Sequence, residues 1–121
     1  MEKLIFLVES DKDLRENITE LLELEGYDVV CLTSDETKSV FQSYHAGLVV
    51  FNTLTLSEPI DEFVRFLKNK VDGIVAFCSN DEDPQINEAD IKILLPFDYQ
   101  ELLHELFNFT NCCIMSEVEL H

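Results

Sequence analysis

The sequence predicts an α/β domain: a parallel sheet of five strands with helices packed on both faces. Three observations carry this. Short apolar runs alternate with stretches of helical period, and the runs are apolar at successive positions, as strands buried on both faces must be. Gly, Pro and small polar residues mark the switches from one to the other. With 121 residues and 46% hydrophobic content, the chain can build one core but not two.

The first run, Lys3 to Val8, is followed at once by Glu9, Ser10 and Asp11. Ser10 or Asp11 can cap the helix that follows, and Asp13 in its first turn faces the positive end of the helix dipole. Leu14, Ile18, Leu21 and Leu22 form its inward stripe, which stops at Gly26. Tyr27 to Leu32 is the second strand. Thr33 or Ser34 caps a second helix with Val40, Phe41 and Tyr44 on its inner face. The third strand runs from Leu48 to Asn52. In open α/β sheets functional residues lie just beyond the carboxyl ends of the strands, so the identity of Asn52 matters. An amide there cannot ionise and is a poor nucleophile, whereas a carboxylate could bind a cation or accept a phosphoryl group.

Pro59 fits the first turn of a third helix, where its missing N–H is no loss, and Ile60, Phe63, Val64 and Leu67 are its buried stripe. Ile74 to Cys78 is the fourth strand. The segment from Asn80 to Asp90 carries five acids and only Ile86 and Ala89 as apolar groups. It lacks the stripe needed to pack a helix on a sheet, so a loop with at most one helical turn is expected. Ile91 to Leu95 is the fifth strand, ended by Pro96. Asp98 and Glu101 have capping-box spacing, and Leu102, Leu103, Leu106 and Phe107 carry a last helix. The tail, residues 111–121, shows no clear period and is expected to be frayed or disordered, or cut from a longer chain, leaving a domain over residues 1–110. At this length the natural arrangement is the doubly wound, flavodoxin-like sheet of order 2-1-3-4-5.

Eight Lys and Arg against 25 Asp and Glu give a net charge of −17. Such a surface repels phosphate backbones and anionic lipid, which argues against nucleic acid or membrane as a direct partner. No signal peptide and no apolar run of transmembrane length is found, and the cytoplasm is the expected compartment. The four cysteines, Cys31, Cys78, Cys112 and Cys113, show no CxxC spacing and are expected to be reduced, structural thiols.

The segment LVESDKDLRENITELLELEGYDVV resembles the first βαβ unit of bacterial, CheY-like response-regulator receiver domains, the signal-receiving modules of two-component signal transduction. LPFDYQELL resembles their closing Lys-Pro-Phe-x-x-x-x-Leu segment, and order and spacing agree over residues 3 to 109. The resemblance implies phosphoryl transfer from a histidine kinase to an aspartate at the end of the third strand. It also implies Mg²⁺ on an acidic pair after the first strand, a hydroxyl after the fourth, and a lysine before a cis proline after the fifth. Carried onto this sequence, the acidic pair falls on Glu9 and Ser10, and the phosphoacceptor on Asn52. The hydroxyl falls on Cys78, with Ser79 beside it as an offset substitute, the lysine on Leu95 and the cis proline on Pro96. The aromatic switch position falls on Lys92. The fourth helix is shortened or missing, since eleven residues separate Ser79 from Ile91.

The resemblance therefore implies a degenerate receiver, or pseudo-receiver. Its neutralised pocket would be closed by hydrogen bonds among Glu9, Ser10 and Asn52, with no catalytic residue, no metal site and weak or absent Mg²⁺ binding. It would act by protein–protein interaction on a signalling partner, through Lys92, Tyr99 and His104, with a homodimer among the arrangements allowed. The alternative is a receiver-like switch controlled by a small ligand or by modification at another site. An enzyme on the same fold ranks below both, for there is no Gly-rich phosphate loop and no visible nucleophile–base pair. Each residue also has a plainer role. Asn52 can cap loop backbone, Glu9 can be structural, Ser10 a cap, and Cys78 a small core residue.

Overall fold

The computed structural model describes residues 3–119, with the side chains of residues 3–110. The elements are β1 (Leu4–Val8), α1 (Lys12–Leu24), β2 (Asp28–Cys31), α2 (Ser34–Val40), β3 (Leu48–Asn52), α3 (Ile60–Leu67), β4 (Gly73–Cys78), β5 (Ile91–Leu94) and α4 (Tyr99–Glu119). All five strands are parallel, in the order β2-β1-β3-β4-β5. This is the flavodoxin-like order expected at this length. In place of the frayed tail expected from residue 111, the backbone continues as α4 to Glu119; the side chains from residue 111 onward, and residues 120–121, lie outside the described residues. Among the described residues no helix is long and apolar enough to cross a membrane.

The alternation of side chains along buried strands divides the core into two layers. Ile5 and Leu7 of β1, Leu48 and Val50 of β3, Val75 and Phe77 of β4, and Ile91 and Ile93 of β5 face one side. There they meet Ile18 and Leu22 of α1 and Leu102 and Leu106 of α4. Phe6, Val8, Val49, Phe51, Ile74, Ala76 and Cys78 face the other, against Phe41 after α2 and Phe63, Val64 and Leu67 of α3. The second layer is aromatic, with Phe6 edge-on to Phe41 at 5.0 Å and Phe51 edge-on to Phe63 at 5.3 Å. Such pairs add about 0.5–1.5 kcal/mol each beyond their area burial.

Local chemistry sets the helix ends. Asp11, not Ser10, caps α1 by accepting the Leu14 N–H. Thr33 caps α2 through a reciprocal pair, Glu36 N–H to Thr33 Oγ1 and Thr33 N–H to Glu36 Oε1. This helix is shorter than expected: it ends at Val40, its own buried residues are Ser34 and Thr37, and Phe41 reaches the core from the cap position while Val40 and Tyr44 are half-buried. Pro59 lies one residue before α3, as its N-cap instead of within its first turn.

Between β4 and β5 there is no α-helix, only a 3₁₀ turn at Pro84–Ile86. The loop is held without an amphipathic stripe. Ile86 plugs fully into the second layer, Asp83 accepts the Gln85 N–H, Asp90 accepts the Ile74 N–H at 2.7 Å, and Lys68 pairs with Glu88 at 2.8 Å. The consequence falls on β5. Ile91 and Ile93 are covered, but Lys92 is only half-buried and Leu94 remains 45% exposed.

Entry into β3 turns on Gly47, whose φ of +88° favours glycine and whose added Cβ would lie 2.9 Å from Phe6 Cε2 and 3.2 Å from the Leu4 carbonyl. Gly26 has a similar φ, +92°, but open space, with Lys3 Nζ at 3.7 Å. Gly47→Ala is expected to destabilise by about 2 kcal/mol or more, and Gly26→Ala by about 1 kcal/mol, because only the first adds a clash to the left-handed backbone. Urea unfolding of the two variants measures the difference.

Candidate functional site

Strand order places the ends of β1 and β3 side by side, so the residues following them meet at the carboxyl edge of the sheet. This is where the winding direction reverses, the general location of sites in open α/β sheets. Glu9 leaves β1 into this crevice and Asn52 ends β3 there; both are 4% exposed.

A buried carboxylate needs donors, and Glu9 has three. Asn52 Nδ2 donates to Oε1 at 2.9 Å, while Thr55 Oγ1 at 2.6 Å and the Asp11 N–H at 3.0 Å donate to Oε2. Asn52 in turn accepts the Leu54 N–H on Oδ1 at 2.9 Å. Arg15 Nη1 donates to the Glu9 backbone carbonyl at 3.1 Å. The pocket is thus closed by side-chain hydrogen bonds with a single carboxylate at its centre.

Ser10 differs from expectation. It is exposed, and its Oγ donates to the Thr55 backbone carbonyl at 3.2 Å, not to Glu9 or Asn52. Thr55 and Arg15, which sequence reasoning missed, take the places expected of Ser10. A loop threonine three residues beyond a strand end and a charged residue in the first turn of a helix are too ordinary in sequence to signal a site. Only the strand pairing brings them together.

Cys78 is in the second core layer beside Ala76 and Phe51, with Sγ 3.7 Å from the Ile93 carbonyl. Burial, reinforced by the nearby Asp81 carboxylate, raises its thiol above the ordinary value. Ser79 is exposed just past β4. Leu95 is half-buried against the first layer, and the Leu95–Pro96 peptide is cis. Beyond it Phe97 stacks on Phe77 at 4.7 Å and meets Tyr99 edge-on at 5.0 Å. His104 is exposed on α4, its Nε2 3.0 Å from Asn108 Nδ2. Lys92, Tyr99 and His104 therefore lie around β5 and the start of α4, apart from the Glu9 network.

On the β2 side of that network lies a cavity of about 470 Å³, lined among others by Arg15, Leu32, Glu36, Leu56 and Ser57. It separates the ends of β1 and β2 from the loop after β3.

Thr55→Val removes the shortest of the three donors to Glu9 and is expected to destabilise by about 2 kcal/mol, as for a hydrogen bond to a charged group, whereas Thr55→Ser keeps the hydroxyl and is expected to lose little. Urea unfolding of the pair checks this. In the native protein an alkylating reagent at mildly alkaline pH should modify exposed Cys31 and spare Cys78, as read by peptide mass mapping. Because the native Cys78 thiol keeps its proton to higher pH than the unfolded one, that contribution to stability is present at low pH and lost as pH rises through the native value.

No protein-family model matches the sequence, and no curated protein matches it. Solved structures do. Full-length FixJ from B. japonicum superimposes with a TM-score of 0.76 at 16% identity, over 89% of this chain, which spans 57% of that longer protein. The response regulator TrrA from Thermotoga maritima, in complex with Mg²⁺ and BeF, gives 0.75 at 22% identity, covering 90% of this chain and 99% of that one. The chemotaxis response regulator CheY4 of Vibrio cholerae gives 0.71 at 16% identity, covering 90% and 99%. The chain has the fold of response-regulator receiver domains.

Proposed function

We propose that this domain is a receiver-like signalling module that acts by binding a protein partner and does not depend on phosphorylation at the end of β3. The observation that carries the proposal is Asn52, where the amide sits at the strand end and donates to the buried Glu9 carboxylate. A phosphoryl group needs a nucleophilic oxygen at that place, and an amide does not supply one.

The residues present do not fit Mg²⁺. Both oxygens of Glu9 already accept hydrogen bonds, the Asn52 amide turns its nitrogen to the carboxylate, and its oxygen is taken by the Leu54 N–H. A hard cation prefers oxygens free to turn toward it and usually one or two carboxylates, and here an N–H₂ group occupies the place of the second. Leu95 supports the same reading, since a lysine there would enter a pocket with no spare carboxylate to pair with. The reading assigns no catalytic residue.

The surface for a partner is the region of β5 and the start of α4. Lys92 and Leu94 are accessible because, among the described residues, no helix covers the second-layer face of β5, while Tyr99, against α1, and His104 are exposed on α4. A mix of a cation, an aliphatic side chain and an amphipathic ring suits a protein surface better than a nucleic acid, given the −17 net charge.

Amide NMR of the wild-type protein with Mg²⁺, and then with Mg²⁺ and beryllofluoride, should show no saturable shifts at Glu9, Ser10, Asn52 or Ser79. The triple variant Ser10→Asp, Asn52→Asp, Leu95→Lys should gain Mg²⁺-dependent shifts at those positions. Saturable shifts in the wild type would overturn the phosphorylation-independent reading. Asn52→Asp alone places a second carboxylate about 3 Å from Glu9, and is expected to lower stability at neutral pH by about 1–3 kcal/mol, with partial recovery as pH falls and one of the pair takes a proton.

A further inference from the structure

The cavity beside the Glu9 network is not explained by partner binding. Its chemistry is uneven. Val8, Leu32 and Leu56 give it an apolar wall, and the polar side is dominated by two opposite charges, Arg15 and Glu36.

Among the described residues Arg15 and Lys92 are the two of the eight cations with neither a carboxylate partner nor an aromatic ring beneath them. Lys12, Lys38, Arg65 and Lys68 are paired with Glu16, Glu58, Asp61 and Glu88, while Lys3 and Lys70 lie over aromatic rings. Among the described residues Arg15 has no carboxylate within 4.0 Å, although acids outnumber bases by 25 to 8. It is half-buried and anchored by one N–H to the Glu9 carbonyl, which leaves the rest of its donor fork for the cavity. A carboxylate is the group that matches such a fork in two parallel hydrogen bonds.

The other charges of the lining limit what that carboxylate belongs to. Glu36 spends Oε1 on the Thr33 N–H in the α2 cap, and its second oxygen remains to accept from a cation. Glu9 adds a further negative charge at the back. One cation against two carboxylates disfavours a phosphate dianion or any polyanion, and suits a ligand with a positive group of its own. The apolar wall and a volume of about 470 Å³ leave room for an aliphatic or aromatic side chain.

We propose that this cavity binds a free apolar α-amino acid, with its carboxylate on the Arg15 guanidinium, its ammonium on Glu36, and its side chain against Leu32 and Leu56. The cavity shares Glu9, Ser10 and Thr55 with the hydrogen-bonded network beside it, and the proposal stands or falls separately from the partner-binding reading. The cavity also lies between two separate elements. Ser34 of α2 and Ser57 of the β3–α3 loop meet at 3.1 Å on its border, so an occupant tightens the loop that carries Thr55 against α2.

The test is amide NMR of the whole chain titrated separately with L-leucine, L-valine, L-methionine and L-phenylalanine. 4-Methylvalerate, isoamylamine and inorganic phosphate serve as carboxylate-only, ammonium-only and dianion controls. At least one amino acid should give saturable shifts confined to residues 32–36, 55–57 and Arg15, and each control should bind more weakly. Arg15→Gln and Glu36→Gln should each weaken that binding by about tenfold or more, the equivalent of one charge-assisted hydrogen bond. Glu36→Gln keeps an oxygen for the Thr33 N–H, and an otherwise unchanged spectrum shows that the fold is intact. The proposal is overturned if none of the four amino acids shifts these residues, if phosphate binds as well as the best of them, or if binding survives Arg15→Gln unchanged. Equal binding of 4-methylvalerate would remove Glu36 from the site.

Discussion

A single buried carboxylate organises one end of this molecule. Taking Glu9 out of water is costly unless donors replace the lost solvent, and the three that do so come from the turn after β1, the end of β3 and the loop after β3. Three separate stretches of chain are thereby tied to one pair of oxygens. Removing any one donor leaves the others holding a charge that is incompletely solvated. As a donor, Asn52 contributes to the balance that keeps the Glu9 carboxylate buried at the sheet edge, and a second carboxylate in its place would oppose the first.

The same logic extends outward from Glu9. Its backbone carbonyl accepts from Arg15, whose side chain borders the neighbouring cavity. Ser10, displaced from the carboxylate, links to the Thr55 carbonyl and so strengthens the loop that delivers the Thr55 hydroxyl. The result is a continuous set of contacts that joins Glu9, Ser10, Arg15, Asn52 and Thr55.

Much of the fold was legible in the chain because its strands are short, apolar and punctuated. The five strands and the absence of a full helix between β4 and β5 follow from local composition, and their order from strand–helix alternation at this chain length. Less legible were features decided by packing. The early end of α2 depends on Phe41 reaching the core from outside the helix, where it meets Phe6, and no period in the sequence marks that. At the site, Glu9 and Asn52 could be placed because both adjoin strand ends. Thr55 and Arg15 could not, since their roles arise from the pairing of β1 with β3 and from the path of one loop. Ser10 was misplaced for the same reason: adjacency in sequence to Glu9 does not point its hydroxyl the same way.

The bare end of the sheet has a consequence for how the domain breathes. β1, β3 and β4 are paired on both edges and covered on both faces, so exposing their amides to exchange requires opening most of the domain. β5 has one neighbour, one covered face, and a loop in place of a packed helix before it. Detaching it releases fewer contacts than global unfolding does, and its amides should exchange through sub-global openings that leave the central strands closed. β5 shares this edge position with β2, whose residues are largely exposed, so both edges open more readily than the sheet centre. Binding at β5 would slow exchange in β5 and α4 far more than at the sheet centre, so that recognition is felt first as a redistribution of local stability.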